Sequence, residues 1–270
     1  MEKNDNLRKL QLVEKDVLKR FIEICEKNSI QYYIIGGTLI GAVRHNGFIP
    51  WDDDIDIAVP RKDYNRLIHV MDNLDDDIID MKYYKKDESL YYYPIKIVHK
   101  NYKIKEPRVK EGYANPWIDI LPIDGLPNSK MKSKIFKWKM LYYRLLLGLH
   151  YVDNLREIKR KKFEKVIISF GRVTHIGKLI NPTKIKDKID KTLSRNSIDE
   201  CEVVGTCMGA YFFHEFVPKK FFGNGRKVEF EGLEVKAPEK IDAYLTHMYG
   251  DYMKLPPNEK QVAHKVEFID

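Results

Sequence analysis

The chain has 270 residues, 43% of them hydrophobic, which allows one large domain or two small ones with a real core and excludes global disorder. Its three cysteines, Cys25, Cys201 and Cys207, are widely spaced and odd in number, so they build neither a disulfide framework nor a zinc quartet; each is expected as a small buried hydrophobe in a reducing compartment. The net charge of +8 is uneven: residues 1–127 hold 20 Lys and Arg against 22 Asp and Glu, residues 128–200 hold 19 against 7, and residues 201–270 hold 9 against 11. The excess lies in the middle block, which points to a polyanionic neighbour there and not to a generally basic protein.

The start, Met1 to Asn6, is polar, with no secretory apolar region after it. No run reaches the ~20 apolar residues needed to span a bilayer. A cytoplasmic protein, soluble or peripheral at the inner face of the membrane, is the expectation. Leu10, Val13, Val17, Phe21 and Cys25 follow helical spacing, and Leu18 and Ile22 widen the stripe, so residues 7–28 are predicted as an amphipathic helix. Tyr32 to Ile35 reads as a short strand ending at Gly36-Gly37. Thr38 is the expected cap of a helix running to about His45. Asp54 to Val59 reads as a strand ended by Pro60, Lys62 to Leu74 as a helix, and Ile78 to Tyr84 and Tyr92 to His99 as further strands. Trp117 to Leu121 is a short apolar strand carrying one acid, Asp119, and ending at Pro122; Asp124 reads as a turn residue in Pro-Ile-Asp-Gly-Leu-Pro. Residues 128–200 are Lys-rich with helical periodicity. Glu202 to Thr206 and Val228 to Val235 read as strands, and Pro238 to Tyr249 as a helix stopped by Gly250.

The chemistry concentrates between Gly36 and Ile57. Two glycines end an apolar run, a short basic helix follows, and Asp52, Asp53, Asp54 and Asp56 place four acids in five residues before an Ile-rich strand. If the strand begins early, Asp52, Asp54 and Asp56 share one face and Asp53 points away. Carboxylates crowded on one face repel unless a cation sits between them. Mg²⁺ takes carboxylate oxygens and leaves room for phosphate, and a glycine turn at a helix N-terminus can hold phosphate on its N–H groups. Asp119, an acid in an apolar strand, needs a partner, and a metal shared with Asp54 and Asp56 or an ordinary salt bridge would supply one. Arg44 and His45 lie just past the phosphate helix and are candidates to hold a diphosphate, with Lys96 as a second cation; a solvated surface charge (Arg44, Lys96) or a helix C-terminal cap (His45) is the plainer role. Trp51 is a candidate contact or simply core. Tyr83, Tyr84, Tyr91, Tyr92, Tyr93, Tyr102, Tyr113 and Trp117 gather rings near the acids. Such rings can hold a quaternary ammonium, but they also fit ordinary strand tyrosines.

Gly36-Gly37, then Asp54-Ile55-Asp56, then a lone Asp119 on a later strand resembles the nucleotidyltransferase superfamily pattern. The longer string from Gly36 to Ile57 resembles the LicD family, which includes phosphocholine transferases and the fukutin-related proteins. Ile120-Leu121-Pro122-Ile123-Asp124-Gly125, Ala237-Pro238 and Tyr249-Gly250-Asp251-Tyr252-Met253 before Pro256-Pro257 agree, so the resemblance covers residues 10–125 and 215–265. Where that family pattern has a His-His pair after an Arg, this chain has Lys260-Gln261 and His264-Lys265, leaving His264 as the candidate; the extra cysteines of fukutin-related proteins are missing. The resemblance implies an α/β (α+β) fold, a nucleotidyltransferase-like core with a mixed sheet flanked by helices. Residues 1–127 and 201–270 would form that core and residues 128–200 a basic helical insertion.

It further implies transfer of a phospho-alcohol, phosphocholine above all, from a CDP-alcohol donor to a sugar hydroxyl, releasing CMP. The acceptor would be a glycan or lipid-linked glycan precursor of teichoic acid, lipopolysaccharide or capsule. Asp54, Asp56 and Asp119 would be catalytic and, with Asp52, hold Mg²⁺ or Mn²⁺; Gly36, Gly37 and Thr38 would position phosphate. Three rivals remain: a nucleotidyltransferase attacking an α-phosphate, a glycosyltransferase using Asp-x-Asp, and a basic membrane- or RNA-binding protein without catalysis. Lys130, Lys132, Lys134, Lys137, Lys139 and Arg144, interleaved with Ile135, Phe136, Trp138, Met140, Leu141, Tyr142 and Tyr143, read as an interfacial helix for an anionic membrane surface or as a solvated helix on the core. No nucleic-acid partner is expected.

Overall fold

A computed structural model describes residues 2–88, 90–105, 112–152, 172, 174–262 and 266–269. The first helix, α1 (Glu2–Lys27), buries the expected stripe, with Val17, Leu18 and Phe21 fully enclosed, and lies across the sheet. It is followed by β1 (Tyr33–Ile34), α2 (Gly36–His45), β2 (Asp56–Pro60), α3 (Arg61–Asp72), β3 (Ile79–Lys82), β4 (Ile95–His99), β5 (Lys103–Lys105), β6 (Tyr113–Ala114) and β7 (Trp117–Gly125). Then come α4 (Lys130–His150), α5 (Pro182–Leu193), β8 (Val203–Gly205), β9 (Val217–Pro218), β10 (Arg226–Phe230), β11 (Leu233–Ala237), α6 (Ile241–Tyr249) and β12 (Phe268–Ile269).

The main sheet has the order β1-β2-β7-β4-β3, with β8 paired to the far end of β7 and β9 to β8. β2 and β7 run parallel and the other pairs antiparallel. This is the mixed sheet flanked by helices that the sequence predicts. β7 is its spine: Ile118 and Ile120, on the face opposite Asp119, are fully buried.

Four local readings are corrected. β2 starts at Asp56, so Asp52 and Asp54 sit in the preceding loop and are not strand residues of one face. Thr38 is not the cap of α2. Ile35 occupies that position, and the Thr38 hydroxyl instead accepts the backbone N–H of Asp56 at 2.9 Å, tying helix to strand. β7 does not stop at Pro122 but runs to Gly125, because its parallel pairing with β2 places Pro122 opposite Val59 and Ile123 opposite Pro60. Asp124 is therefore no turn residue. It is fully buried, and Arg61 grips it with two donors at 2.7 and 2.6 Å.

The same Arg61 reaches the middle block. Its Nη1 lies 2.9 Å from Asp190 of α5, and the Tyr93 hydroxyl donates to Asp190 at 2.6 Å. Tyr84 donates to Asp187 on the same helix at 2.9 Å. Helix α4 docks through Phe136, Met140 and Leu147. Within residues 128–200 the described elements are thus anchored to the sheet layer by one charged network and one apolar face.

Candidate active site

Three adjacent strands carry the centre of the site. Asp56 of β2 stands in register with Asp119 of β7, and Asp119 with Lys96 of β4. Register partners on neighbouring strands share a face, so two carboxylates and one ammonium form a row. Lys96 Nζ lies 2.8 Å from Asp119 Oδ1, and the Trp117 indole N–H donates to Asp119 Oδ2 at 3.1 Å. The ammonium also sits 3.7 Å from the Trp117 ring centroid and 4.9 Å from that of Tyr92. Those contacts help hold a charge that is only 3% exposed.

The Gly-Gly turn has a definite job here. Gly36 has φ +61, in the left-handed region open to glycine at little cost, and a Cβ on it would fall 2.9 Å from Asp56 Oδ2. A Cβ on Gly37 would collide with Asp52 Oδ2. The glycines let two carboxylates approach the N-terminal end of α2, where the helix dipole favours negative charge. Asp56 is further fixed by the Thr38 hydroxyl and by its own carbonyl, which accepts the Ile35 N–H at 3.0 Å. The loop before β2 is held from beneath, where Gln11 of α1 donates to the Asp52 carbonyl at 2.9 Å.

A cleft of 330 Å³ opens over this row. Asp54, Asp56, Asp119, Lys96 and Glu215 form its polar wall; Tyr92, Leu121, Tyr211, Tyr244, Met248 and Tyr249 form the rest, with Gly36 at the edge. Glu215 accepts from the Thr206 hydroxyl and from the Tyr211 N–H, the latter at 2.7 Å. Burial pushes Asp56 well above the usual carboxylate range, and Asp54, Asp119, Asp52 and Glu215 push it further. Glu215 is raised by burial too, against the pull of its N–H and hydroxyl donors. Behind the row, Glu14 of α1 is 2% exposed with Oε2 unpartnered; burial raises it first, then Asp54, Asp53 and Asp119, while Lys96 opposes them. Among the described residues lining the cleft, acidic groups outnumber cations.

Of the residues expected from sequence, Gly36, Asp54, Asp56, Lys96 and Asp119 meet in this cleft. Asp52 lies against Gly37 just behind it, and Thr38 supports Asp56. Arg44 and His45 are at the other end of α2, outside the lining. Arg44 donates to the Tyr252 carbonyl at 3.1 Å, and burial lowers both groups, with Arg44 adding to the effect on His45. Trp51 packs partly buried against the core. His264 lies outside the described residues. Of the aromatic run, Tyr92 lines the cleft and Trp117 flanks Lys96, whereas Tyr83, Tyr84 and Tyr93 are core and Tyr113 is exposed. The cleft's other rings come from elsewhere. Tyr244 and Met248 follow i, i+4 spacing that a helical reading of α6 could have found; Glu215 and Glu14 carry no local signal.

The profile of a family described as LicD/FKTN/FKRP, nucleotidyltransferase domain, matches residues 29–159. The chain is 31% identical over 274 aligned residues to the lipopolysaccharide cholinephosphotransferase LicD of Haemophilus influenzae, spanning 97% of this chain and 96% of that protein. The ribitol 5-phosphate transferase FKRP of Homo sapiens is 33% identical over 49 residues, 18% of this chain and 10% of that protein. An uncharacterized protein of Rickettsia prowazekii is 46% identical over 55 residues, 20% of this chain and 21% of that protein.

Proposed function

The chain belongs to the LicD family, and from that premise we propose that it moves phosphocholine, or a related phospho-alcohol, from a CDP-alcohol to a glycan hydroxyl, releasing CMP. The observation that carries this reading is the convergence of Asp54, Asp56 and Asp119 on one cleft, in a chain alignable along 97% of its length with a cholinephosphotransferase.

Mg²⁺ or Mn²⁺ is the cofactor in this reading. The donor set is all hard oxygen, crowded and short of positive charge, which suits such an ion. Among the described residues no group of three or more His, Cys, Asp or Glu side chains is placed to hold a metal ion by itself. Mg²⁺ is commonly held by one or two carboxylates, with water and substrate phosphate completing its shell. Asp54 and Asp56 would hold it, with Asp52 and Asp119 beside them. Bound there, it would neutralise charge on the transferring phosphoryl group.

In the transfer the acceptor oxygen bonds to the phosphorus that carries the alcohol. The bond from that phosphorus to the CMP oxygen breaks, and CMP leaves with its electron pair. The acceptor proton passes to Asp119, which Lys96 and the Trp117 N–H hold in one orientation. Tyr92, Tyr211 and Tyr249 offer aromatic faces to a quaternary ammonium. The test is incubation with a panel of CDP-alcohols, reading CMP with and without a glycan acceptor. CMP release should rise with acceptor, stop with EDTA and return with Mg²⁺ or Mn²⁺. No CMP from any CDP-alcohol, or diphosphate released from a nucleoside triphosphate instead, overturns the reading.

A further inference from the structure

Helix α4 has two apolar faces. Phe136, Met140 and Leu147 are buried against the core. On the opposite side Met131, Ile135, Trp138, Tyr142 and Leu145 recur every three or four residues, which is one stripe of a helix. They are exposed, Met131 at 70% and Trp138 at 73%. A helix packed on a core ordinarily turns a polar face to water, and a contiguous apolar stripe there marks a contact surface. At 100° per residue, Lys132 and Lys139 border this stripe on one side and Lys130 and Lys134 on the other. The helix contains no Asp or Glu.

The stripe and its borders together select the occupant. We propose that the outer face of α4 is a docking surface for an anionic lipid bilayer. Basic side chains beside Trp, Tyr and aliphatic groups match the boundary between anionic headgroups and acyl chains. A nucleic acid would engage the lysines and rings but leave Met131, Ile135 and Leu145 with nothing apolar to bury against. A second copy docked by two-fold symmetry would set lysine against lysine. Among the described residues no helix is long and apolar enough to cross a membrane, so α4 lies on the surface of the bilayer and does not span it.

One segment links this face to the cleft. Phe216 packs edge-on against Phe136 with centroids 6.0 Å apart, and Arg144 lies over Phe212 at 4.3 Å. Met208, Tyr211 and Glu215 of the same segment line the cleft. A bilayer on the outer face of α4 is therefore separated from the wall of the site by the helix itself, about 10 Å across, and by this one segment.

The experiment is flotation of the full chain with vesicles of phosphatidylcholine and phosphatidylglycerol in equal parts. The protein should float with these vesicles at low salt, and binding to pure phosphatidylcholine should be at least about tenfold weaker. Trp138 emission should shift to the blue on binding, and Trp138→Phe should abolish the shift, since Trp51 and Trp117 already pack against the core. A triple variant, Lys132→Gln, Lys134→Gln and Lys139→Gln, should cut partitioning roughly tenfold or more. Ile135→Asp with Leu145→Asp should cut it as far with unchanged melting, because both side chains are exposed. The proposal is overturned by no flotation on phosphatidylglycerol vesicles at low salt, by flotation indifferent to both sets of substitutions, or by a sedimenting dimer that Ile135→Asp dissociates while vesicles bind nothing. RNA binding lost with the lysines, without vesicle binding, overturns it in favour of a nucleic acid.

Discussion

Two of the molecule's buried clusters of charge, one around Arg61 and one in the cleft, treat that charge in opposite ways. Around Arg61, each carboxylate meets a cation: Asp124 takes two of its donors, Asp190 takes a third, and Lys85 lies 3.3 Å from Asp190. Burial alone would lower Arg61, but Asp124, Tyr93 and Asp190 hold it above its ordinary value. In the cleft, Asp54, Asp56, Asp119 and Glu215 share a wall with Lys96, the one cation among the described lining residues. A buried charge without compensation is costly, so the acid cluster is where the proposed metal ion would be most strongly stabilised. The first cluster ties α3, β7 and α5 together; the second gathers acids around one lysine at the cleft.

The sharpest way to break that contrast is to remove one charged group from each kind of cluster. Asp54→Asn or Asp56→Asn should abolish turnover, a loss of about a thousandfold or more, since metal contacts to a phosphoryl transition state are worth several kcal/mol. Melting should stay level or rise, because a repelled charge has gone. CMP release and a thermal melt on the same sample decide it, and turnover within tenfold of wild type in both variants would sink the assignment. Arg61→Ala should do the reverse. Asp124 would be left fully buried with no cation, at a cost of about 3–5 kcal/mol by denaturant titration. A loss below about 1 kcal/mol would mean the network contributes little.

The contrast also explains what could be read from the sequence. Asp56 and Asp119 were legible as strand acids because Ile-rich flanks mark central strands, and Asp54 was legible from the acid cluster after the Gly-Gly turn, although strand periodicity misplaced it. Asp124 was not, because Pro-Ile-Asp-Gly-Leu-Pro has the composition of a turn, while antiparallel pairing with Gly205 of β8, 81 positions later, makes it strand. Thr38 looked like a cap because Thr before a helix usually is one; its actual partner, the Asp56 N–H, is 18 positions away. Glu14 sits inside an ordinary amphipathic pattern and Glu215 inside Phe-Phe-His-Glu-Phe. What makes both part of the site is tertiary approach, which no spacing encodes.

Gly36→Ala tests how closely the open cluster is positioned. The added methyl would sit at positive φ, costing about 1–2 kcal/mol, and would press on Asp56 Oδ2 from 2.9 Å. Turnover should fall about tenfold to a hundredfold, beyond what the modest loss of stability explains, because reacting groups tolerate little displacement. Unchanged kcat with lowered stability would mean that Asp56 has room to move.

The smallest expected effect is at Glu14, and it sharpens the comparison most directly. Its folded carboxyl is held well above the ordinary value of 4.5, first by burial and then by Asp54, Asp53 and Asp119, against Lys96. A raised carboxyl binds its proton more tightly folded than unfolded. Its contribution is therefore intact below pH about 4.5 and is lost as pH rises from there toward the folded value. Glutamine has no proton to lose, so Glu14→Gln should melt like wild type near pH 4 and above it near pH 7. The gain should be about 1 kcal/mol, the lower end of the cost of an unsatisfied buried polar group. Paired melts from pH 4 to 8 give the curve. A difference that does not grow with pH would show that Glu14 is not part of the uncompensated cluster. A variant less stable at pH 7 would make Glu14 a needed partner of Lys96, and the cleft would then be nearer to balance than the Arg61 comparison implies.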